Sequence, residues 1–252
     1  MLAVETSCLT RYFGDVHAVD GLDLRVEEGT FYGFLGPNGA GKSTTIKMLT
    51  GLLAPTSGTM RVLGADLAAP DAARTVKRRI GVVPEDLALF DNLTAREYLT
   101  FVGRMYRVPL ATVRERCQEL LAMMDLTQEE KKVTLEFSHG MKKKLALAAA
   151  LLPDPDLLFL DEPFEGVDAV ASRSLKDILL TFVRRGRTVF LTSHVLEIVE
   201  KLCTDVGIID KGRLVHQSAM SDIRQAGSLE EHFLAAVDDG QSIHQKLSWL
   251  EG

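Results

Sequence analysis

The chain has 252 residues, of which 46% are hydrophobic and 25% are charged, and this composition supports a large core in one large or two coupled domains. A formal net charge of −6 excludes a general attraction to nucleic acid or to anionic lipid, so any polyanion must be bound locally. Cys8, Cys117 and Cys203 are odd in number and far apart, which argues against a disulfide framework or a zinc site and fits a reducing cytosol.

Predicted strands and helices alternate along most of the chain, which favours an α/β core with a largely parallel sheet. The first residues, MLAVETSCLTRYFGD, have no basic segment followed by an apolar core, so no signal peptide is expected. Short strands are predicted between residues 22 and 35, with a turn at Glu28 and Gly29, and the run TSGTMRVLG predicts a hairpin. Together these pieces predict a small antiparallel sheet beside the core.

Residues 92–152 contain no convincing strand and predict a helical insert. Two helices are expected to begin at capping boxes, Thr94-x-x-Glu97 and Thr112-x-x-Glu115. The longest apolar run, LALAAALL, is far shorter than the about 20 residues that span a bilayer, so a soluble chain is expected. After the insert, LLFLD (157–161) and TVFLTS (188–193) are typical of strands buried on both faces, so the core resumes.

The motif GPNGAGKST, residues 36–44, lies between a strand-like run and a helical pattern. Its glycines allow successive backbone N–H groups to point at an anion at the helix N-terminus. In this P-loop pattern Lys42 reaches the β- and γ-phosphates of a nucleotide, and the Ser43 hydroxyl ligates Mg²⁺. An ordinary glycine turn is the alternative. The residues predicted to form the phosphate site are Gly36, Pro37, Asn38, Gly39, Ala40, Gly41, Lys42, Ser43 and Thr44.

The motif LLFLDEP places two carboxylates at the end of a buried strand. A P-loop needs a second acidic site, because Mg²⁺ on two phosphates keeps open positions and the hydrolytic water must be oriented. Asp161 is expected to hold Mg²⁺ through water, and Glu162 is expected to accept the proton of the hydrolytic water. Two carboxylates that simply face solvent at a strand end are the alternative.

The motif FSHGM, residues 137–141, precedes Lys142, Lys143 and Lys144. Three cations in a first helical turn oppose the helix macrodipole, whose N-terminal end is already positive. Either an anion compensates them or they form a solvated helix face.

Five motifs in this order and spacing resemble the ATPase subunit of an ABC transporter, over about residues 4–237: GPNGAGKST, FSHGM, LLFLDEP, EGVD and TSH. The resemblance implies a P-loop NTPase (RecA-like) core with an N-terminal antiparallel β subdomain and a helical insert. The ATPase domain would cover residues 1–237, leaving 238–252 as a tail of unknown role. FSHGM would be the signature motif, usually LSGGQ, and its helix would point at the ATP held by the other subunit of a dimer.

The family also implies roles for the residues that match its motifs. Ser138 and Gly140 would contact the γ-phosphate of the partner's nucleotide, and Asp168 would communicate between the two sites. His194 would hold the γ-phosphate near Glu162, although an arbitrary histidine at a strand end is more often structural.

An aromatic residue near the start of such chains stacks on adenine. Phe13 aligns best because it precedes Gly14, and Tyr12 is the other candidate. Either ring could instead belong to the core.

There are three kinds of departure from the family pattern. Glu85 stands where a glutamine is usual, and an ionised glutamate only accepts hydrogen bonds, so it could ligate Mg²⁺ but would repel the γ-phosphate. His139 and Met141 replace a glycine and a glutamine of the signature, and EGVD lacks the usual leucine before its aspartate. Changes of the first two kinds resemble exporter-type members with one ATPase domain per chain.

The resemblance implies a subunit that binds and hydrolyses ATP with Mg²⁺. It would close as a homodimer, or with a second ATPase subunit, around two MgATP and drive a separate transmembrane permease in export. Such a chain is expected in the cytoplasm, peripheral on the inner face of the cell membrane through the permease, with no nucleic acid partner. A soluble ABC-type ATPase of DNA repair or translation, and a P-loop small-molecule kinase, are the alternatives.

Overall fold

The computed structural model describes residues 1–237, so the predicted tail at 238–252 lies outside the described residues. The strands are β1 (Leu2–Phe13), β2 (Val16–Leu22), β3 (Arg25–Glu27), β4 (Phe31–Leu35), β5 (Ser57–Val62), β6 (Ala65–Asp66), β7 (Ile80–Val83), β8 (Leu157–Asp161), β9 (Thr188–Ser193), β10 (Asp205–Asp210) and β11 (Arg213–Ala219). The helices are α1 (Lys42–Leu49), α2 (Pro70–Lys77), α3 (Ala95–Met105), α4 (Leu110–Met123), α5 (His139–Leu151), α6 (Ala169–Arg184), α7 (Leu196–Leu202), α8 (Met220–Ala226) and α9 (Leu229–Val237).

The core sheet has six strands in the order β11-β10-β4-β9-β8-β7. All neighbours in this sheet are parallel except β10 and β11. Strands β4, β8 and β9 are buried along their whole length, as expected for a parallel sheet covered on both faces. This arrangement confirms the predicted α/β core.

Side chains of the central strands alternate between the two faces of this sheet. Leu158 and Leu160 pack with helices α3 to α9, whereas Leu157 and Phe159 pack with α1, α2 and the antiparallel sheet. The second face is rich in aromatic rings, and Phe190 is at its centre. The Phe190 ring lies 5.4 to 5.5 Å, between centroids, from the rings of three neighbours: Tyr32, Phe34 and Phe159.

A second sheet, built from the N-terminal region, is antiparallel and has the order β2-β1-β5-β6, with β3 also paired to β1. The predicted hairpin is confirmed, because Arg61 faces Asp66 and Val62 faces Ala65 across β5 and β6. The turn at Gly29 differs from the expectation in one respect. It joins β3 of this sheet to β4 of the core sheet, so it links the two sheets.

The segment predicted as a helical insert contains α3, α4 and α5. The capping box at Thr94 is confirmed, since its side chain accepts from the Glu97 backbone and the Glu97 carboxylate accepts from the Thr94 N–H. The second capping box is wrong: α4 begins at Leu110, after an extended Pro109, so Thr112 lies inside the first turn. Within residues 1–237, no helix combines the length and apolar character needed to cross a membrane.

Candidate nucleotide-binding site

The candidate site lies where four parallel strands end at one edge of the core sheet. Strand β4 leads into the glycine-rich loop, β7 leads to Glu85, β8 ends at Asp161, and β9 leads to His194. Because β4, β9, β8 and β7 are neighbours and parallel, their carboxyl ends converge. The topology therefore gathers residues that are up to 158 positions apart in the chain.

The glycine-rich loop, residues 36–44, turns from β4 into α1 with a backbone that requires glycine. Gly41 precedes α1 with φ of 108°, and a Cβ there would lie 2.3 Å from the Ala18 carbonyl oxygen. A Cβ on Gly36 would lie 2.4 Å from the Ile209 carbonyl oxygen. Both separations are too short for any side chain, so these two glycines allow the close approach of the loop to neighbouring strands.

Lys42 is buried under this loop. Its Nζ donates to the carbonyl oxygens of Gly36 at 2.8 Å and Pro37 at 3.2 Å. The same ammonium lies 3.9 Å from Glu162 Oε1. Lys42 therefore connects the phosphate loop to the carboxylate at the end of β8.

A cavity of about 390 Å³ opens above the loop. The predicted residues that line it are Asn38, Gly39, Gly41, Lys42, Ser43, Thr44, Glu85, Glu162 and His194. Four further lining residues, Val16, His17, Ala18 and Glu165, were not predicted. Predicted residues that do not line it are Phe13, Gly36, Pro37, Ala40, Asp161, Ser138, Gly140 and Asp168.

Of the three residues predicted to hold Mg²⁺, Ser43 and Glu85 line the cavity and Asp161 does not. The Ser43 hydroxyl donates to Glu85 Oε2 at 3.3 Å. Asp161 is buried at the end of β8, and its carboxylate accepts a hydrogen bond from the Thr192 hydroxyl. Hydroxyl and carboxylate oxygens suit Mg²⁺, which usually takes one or two carboxylates together with waters and phosphates. The oxygen groups of these residues are therefore chemically suited to bind Mg²⁺, and the presence of the ion stays a prediction.

Glu162 is buried, and its carboxylate is held from two sides. Oε1 lies 3.0 Å from His194 Nδ1 in addition to its contact with Lys42. Burial raises the pKa of Glu162 above its ordinary value of 4.5, and His194 and Lys42 oppose that rise. A carboxylate with a raised pKa beside a phosphate loop is suited to accept a proton from water.

The signature segment lies away from this cavity. Ser138 is exposed and caps α5 by accepting the Met141 N–H at 3.2 Å. The nearest atom to a Cβ built on Gly140 would be Asp168 Oδ2, at 3.9 Å. The His139 ring lies against Gly166, so the start of α5 contacts the EGVD loop. Ser138 and Gly140 thus do not line the Lys42 cavity of the same chain.

Asp168 has a structural role in addition to the one expected of it. Its carboxylate caps α6 by accepting the backbone N–H groups of Ala171 and Val170, each at 2.9 Å. These bonds, that of Ala171 above all, hold the pKa of Asp168 below its usual value.

The two candidate aromatic residues have different partners. The Phe13 ring is 47% exposed, and the Arg11 guanidinium lies 4.6 Å from its centroid. The Tyr12 ring stacks on His17 with centroids 4.0 Å apart, and its hydroxyl donates to Asp20 at 3.1 Å. Both rings have partners and neither lines the cavity, so the choice of Phe13 over Tyr12 for stacking on a base stays a prediction.

One of the three lysines after the signature contradicts the solvated-face interpretation. Lys143 is only 2% exposed, and its Nζ donates to the main-chain oxygen of Glu162 at 2.5 Å. Helical spacing carries a signal for this burial, since Lys143 shares a face with Ala146, Leu147 and Ala150. The solvated-face interpretation is therefore wrong for Lys143.

A family model described as ABC transporter matches residues 19–165, which is more than half of the chain. The chain belongs to the ABC transporter family. It is 40% identical over 225 residues to the daunorubicin/doxorubicin resistance ATP-binding protein DrrA of Streptomyces peucetius, covering 89% of this chain and 67% of the relative. It is also 40% identical to the Nod factor export ATP-binding protein I of Paraburkholderia xenovorans (strain LB400), covering 87% of this chain and 71% of that relative.

Solved structures agree with this assignment. An ATP-binding subunit of an ABC transporter superposes with a TM-score of 0.86 at 30% identity, covering 93% of this chain and 99% of the other. The ATP-binding cassette MJ0796, in a dimeric post-hydrolysis state bound to ADP and Pi, superposes with a TM-score of 0.79; at 23% identity this shows the fold alone. This ABC protein is therefore an ATP-binding subunit and an ATPase, as predicted, and the kinase and soluble-ATPase alternatives are not favoured.

Proposed function

We propose that this chain closes with a second copy, or with a second ATPase subunit, around two MgATP molecules and drives a transmembrane permease. The observation that carries the proposal is the division of the site. Lys42 and Glu162 share one cavity, whereas Ser138 and Gly140 do not line it. A nucleotide site that needs both groups is completed only by a second subunit.

The P-loop and Lys42 bind the triphosphate in this proposal. Backbone N–H groups of the loop and the Lys42 ammonium carry the positive potential that phosphates require. Ser43, Glu85 and Asp161 would hold Mg²⁺, which when bound neutralises charge on the phosphates. Glu85 takes the place of the family's glutamine as an acceptor only, which suits a cation and not a phosphate oxygen.

Glu162 acts as the general base. Its carboxylate accepts a proton from the hydrolytic water, and His194 orients the carboxylate from 3.0 Å and contacts the γ-phosphate. Phe13 stacks on the adenine ring from the edge of the antiparallel sheet. Ser138 and Gly140 of one subunit contact the γ-phosphate in the other, and Asp168 links the two sites.

The permease docks, in this proposal, beside the segment DLALFDNLT. Phe90 is 50% exposed and packs edge-on against Phe101 with ring centroids 5.2 Å apart. A groove of about 250 Å³ next to it is lined mainly by apolar residues that include Leu87, Leu89 and Tyr98. An apolar surface of this kind accepts a partner helix. Docking there would place the chain on the inner face of the cell membrane.

Export is the proposed direction. Two relatives that are 40% identical are named for drug resistance and for Nod factor export. The changes at Glu85, His139 and Met141 fit the same exporter-type resemblance.

The test of the divided site is a tandem fusion of two chains in which both copies carry Glu162→Gln to trap nucleotide. In the split fusion, one half carries Lys42→Ala and the other carries Ser138→Arg. If the residues act across the dimer, one site has both defects and the other has none, so one MgATP is trapped per fusion. Nucleotide retained after gel filtration is the measurement.

A same-half fusion, with both substitutions in one half, is the matched control. Across the dimer it gives each site one defect, so no MgATP is trapped. If both residues served the site of their own chain, the results would be reversed: one nucleotide in the same-half fusion and none in the split fusion. That reversal would refute the proposed dimer.

A further inference from the structure

Lys143 is a buried cation that no described carboxylate pairs with directly. Within residues 1–237, its Nζ makes one hydrogen bond, to the Glu162 carbonyl oxygen at 2.5 Å, and no carboxylate oxygen lies within 4.0 Å of it. Its neighbours in sequence, Lys142 and Lys144, are half-buried. Burying an ammonium group costs free energy, so the burial of Lys143 with a single hydrogen bond to a main-chain oxygen requires a structural explanation.

The main chain at Glu162 has a conformation that needs support. Its φ is +47°, in the left-handed region that residues with a Cβ seldom adopt. The Glu162 N–H donates to Thr192 Oγ1 at 3.2 Å, and the Glu162 carbonyl accepts from Lys143. Two side chains from different elements, β9 and α5, therefore hold the peptide groups on either side of this one residue.

The backbone conformation decides where the carboxylate points. The Glu162 carboxylate meets His194 and Lys42 only because the chain turns sharply after Asp161. Loss of the bond to Lys143 would release the main chain at Glu162, and a shift of that main chain would change the direction of the side chain that it carries. Burial lowers the pKa of Lys143 below its ordinary value, and the nearby carboxylates oppose that shift in the order Glu165, Glu162, Glu85 and Asp161.

We propose that Lys143 is a positioning residue for hydrolysis: it fixes the main chain of Glu162 so that the carboxylate stays aimed at the cavity. The inference rests on the proposed role of Glu162 as the base. It gives α5 two tasks, since Ser138 at its start serves a partner's site and Lys143 serves its own. The two residues are five positions apart, about 7.5 Å along the helix axis.

The test compares variants of the full chain. Lys143→Met keeps most of the side-chain length and removes the donor, so kcat should fall about 10- to 100-fold, as for a small displacement of a catalytic group. The Kd for MgATP should stay within about twofold, because the phosphate contacts are untouched. Lys143→Arg retains an N–H donor and should recover most of the turnover. Lys142→Met, on the same helix, should hydrolyse ATP like the parent.

A double variant separates positioning from a general structural effect. Adding Lys143→Met to Glu162→Gln should cause no further loss of turnover, because both changes act through the same carboxylate. A further loss equal to that in the parent background would overturn the proposal. Parental turnover in Glu162→Gln alone would instead refute the proposed base, whatever Lys143 does.

Circular dichroism checks that each variant is folded. Lys143→Leu serves as a second neutral variant. Parental kcat in either folded neutral variant overturns the proposal, and so does an equal loss in Lys142→Met. If neither neutral variant folds while Lys143→Arg folds, the lysine serves folding and the proposal is equally overturned.

Discussion

Replacing Glu162 by glutamine tests the chemistry of the site most directly. The substitution keeps the size of the side chain and its contact distance to His194, which is 3.0 Å from Glu162 Oε1. It removes the negative charge and the ability to accept a proton. The buried environment is unchanged in volume, so no cavity is created and the fold should be retained.

The expected loss of hydrolysis rate in Glu162→Gln depends on the groups that remain next to the substituted side chain. General-base catalysis contributes about 10²- to 10⁴-fold, and each factor of ten corresponds to about 1.36 kcal/mol of activation free energy. His194 stays beside the site and can still take part in orienting water, so the lower part of this range applies. We expect hydrolysis to fall about 100-fold, equivalent to about 2.7 kcal/mol.

Binding of ATP should survive the same substitution. Lys42 keeps its bonds to the Gly36 and Pro37 carbonyl oxygens, and the loop glycines are untouched. One negative charge is removed from a cavity that accepts a polyanion, so affinity should not fall. With binding intact and hydrolysis slow, the ATP-bound dimer should accumulate.

The release of phosphate measures the rate of ATP hydrolysis, and size-exclusion chromatography with MgATP measures the amount of dimer. Glu165→Gln is the matched control, since Glu165 is exposed, lines the same cavity and loses the same charge. Its turnover should be close to that of the parent. Parental turnover in Glu162→Gln, or an equal loss in both variants, would refute the assignment of Glu162 as the base.

Three further predictions follow from other features. Because burial raises the pKa of Glu162 above 4.5, hydrolysis should fall as the pH decreases through that raised pKa, and the pH profile of Glu162→Gln should lack this inflection. Thr94→Ala should lower the free energy of unfolding by about 1 kcal/mol in urea melts, whereas Thr112→Ala, inside α4, should change it little. Phe90→Asp should uncouple ATPase activity from transport in vesicles without unfolding the chain. Leu52→Asp, which also changes an exposed residue, should leave ATPase activity and transport coupled. If Phe90→Asp unfolds the chain, Phe90 belongs to the core.

The parts of the site that follow from the sheet are predictable from the sequence. Asp161, Glu162 and His194 lie at or just after the ends of the buried strands β8 and β9, and the carboxyl ends of parallel strands meet at one edge. The loop around Gly41 is predictable for another reason, because its backbone needs glycine for lack of space.

The parts that depend on neighbouring elements are not predictable in this way. Thr94 and Thr112 share one local pattern, but the extended Pro109 starts α4 two residues before Thr112. Lys143 looks like part of a solvated face until α5 is packed against the loop that follows Asp161. The assignment of Ser138 to a partner's site depends on an assembly, which the spacing of residues in one chain does not describe.

The aromatic packing around Phe190 bears on the geometry of the site at the other end of its strand. Val189 and Leu191 face the opposite side of the sheet. A slip of β9 by one residue would move Phe190 to the opposite face of the sheet and carry His194 about 3.3 Å along the strand. This shift is as large as the 3.0 Å that separates His194 Nδ1 from Glu162 Oε1. The alternation of Val189, Phe190 and Leu191 between the two faces therefore fixes the position of His194 along the strand, and exchanging Phe190 with Leu191 would disturb the site without changing the hydrophobicity of β9.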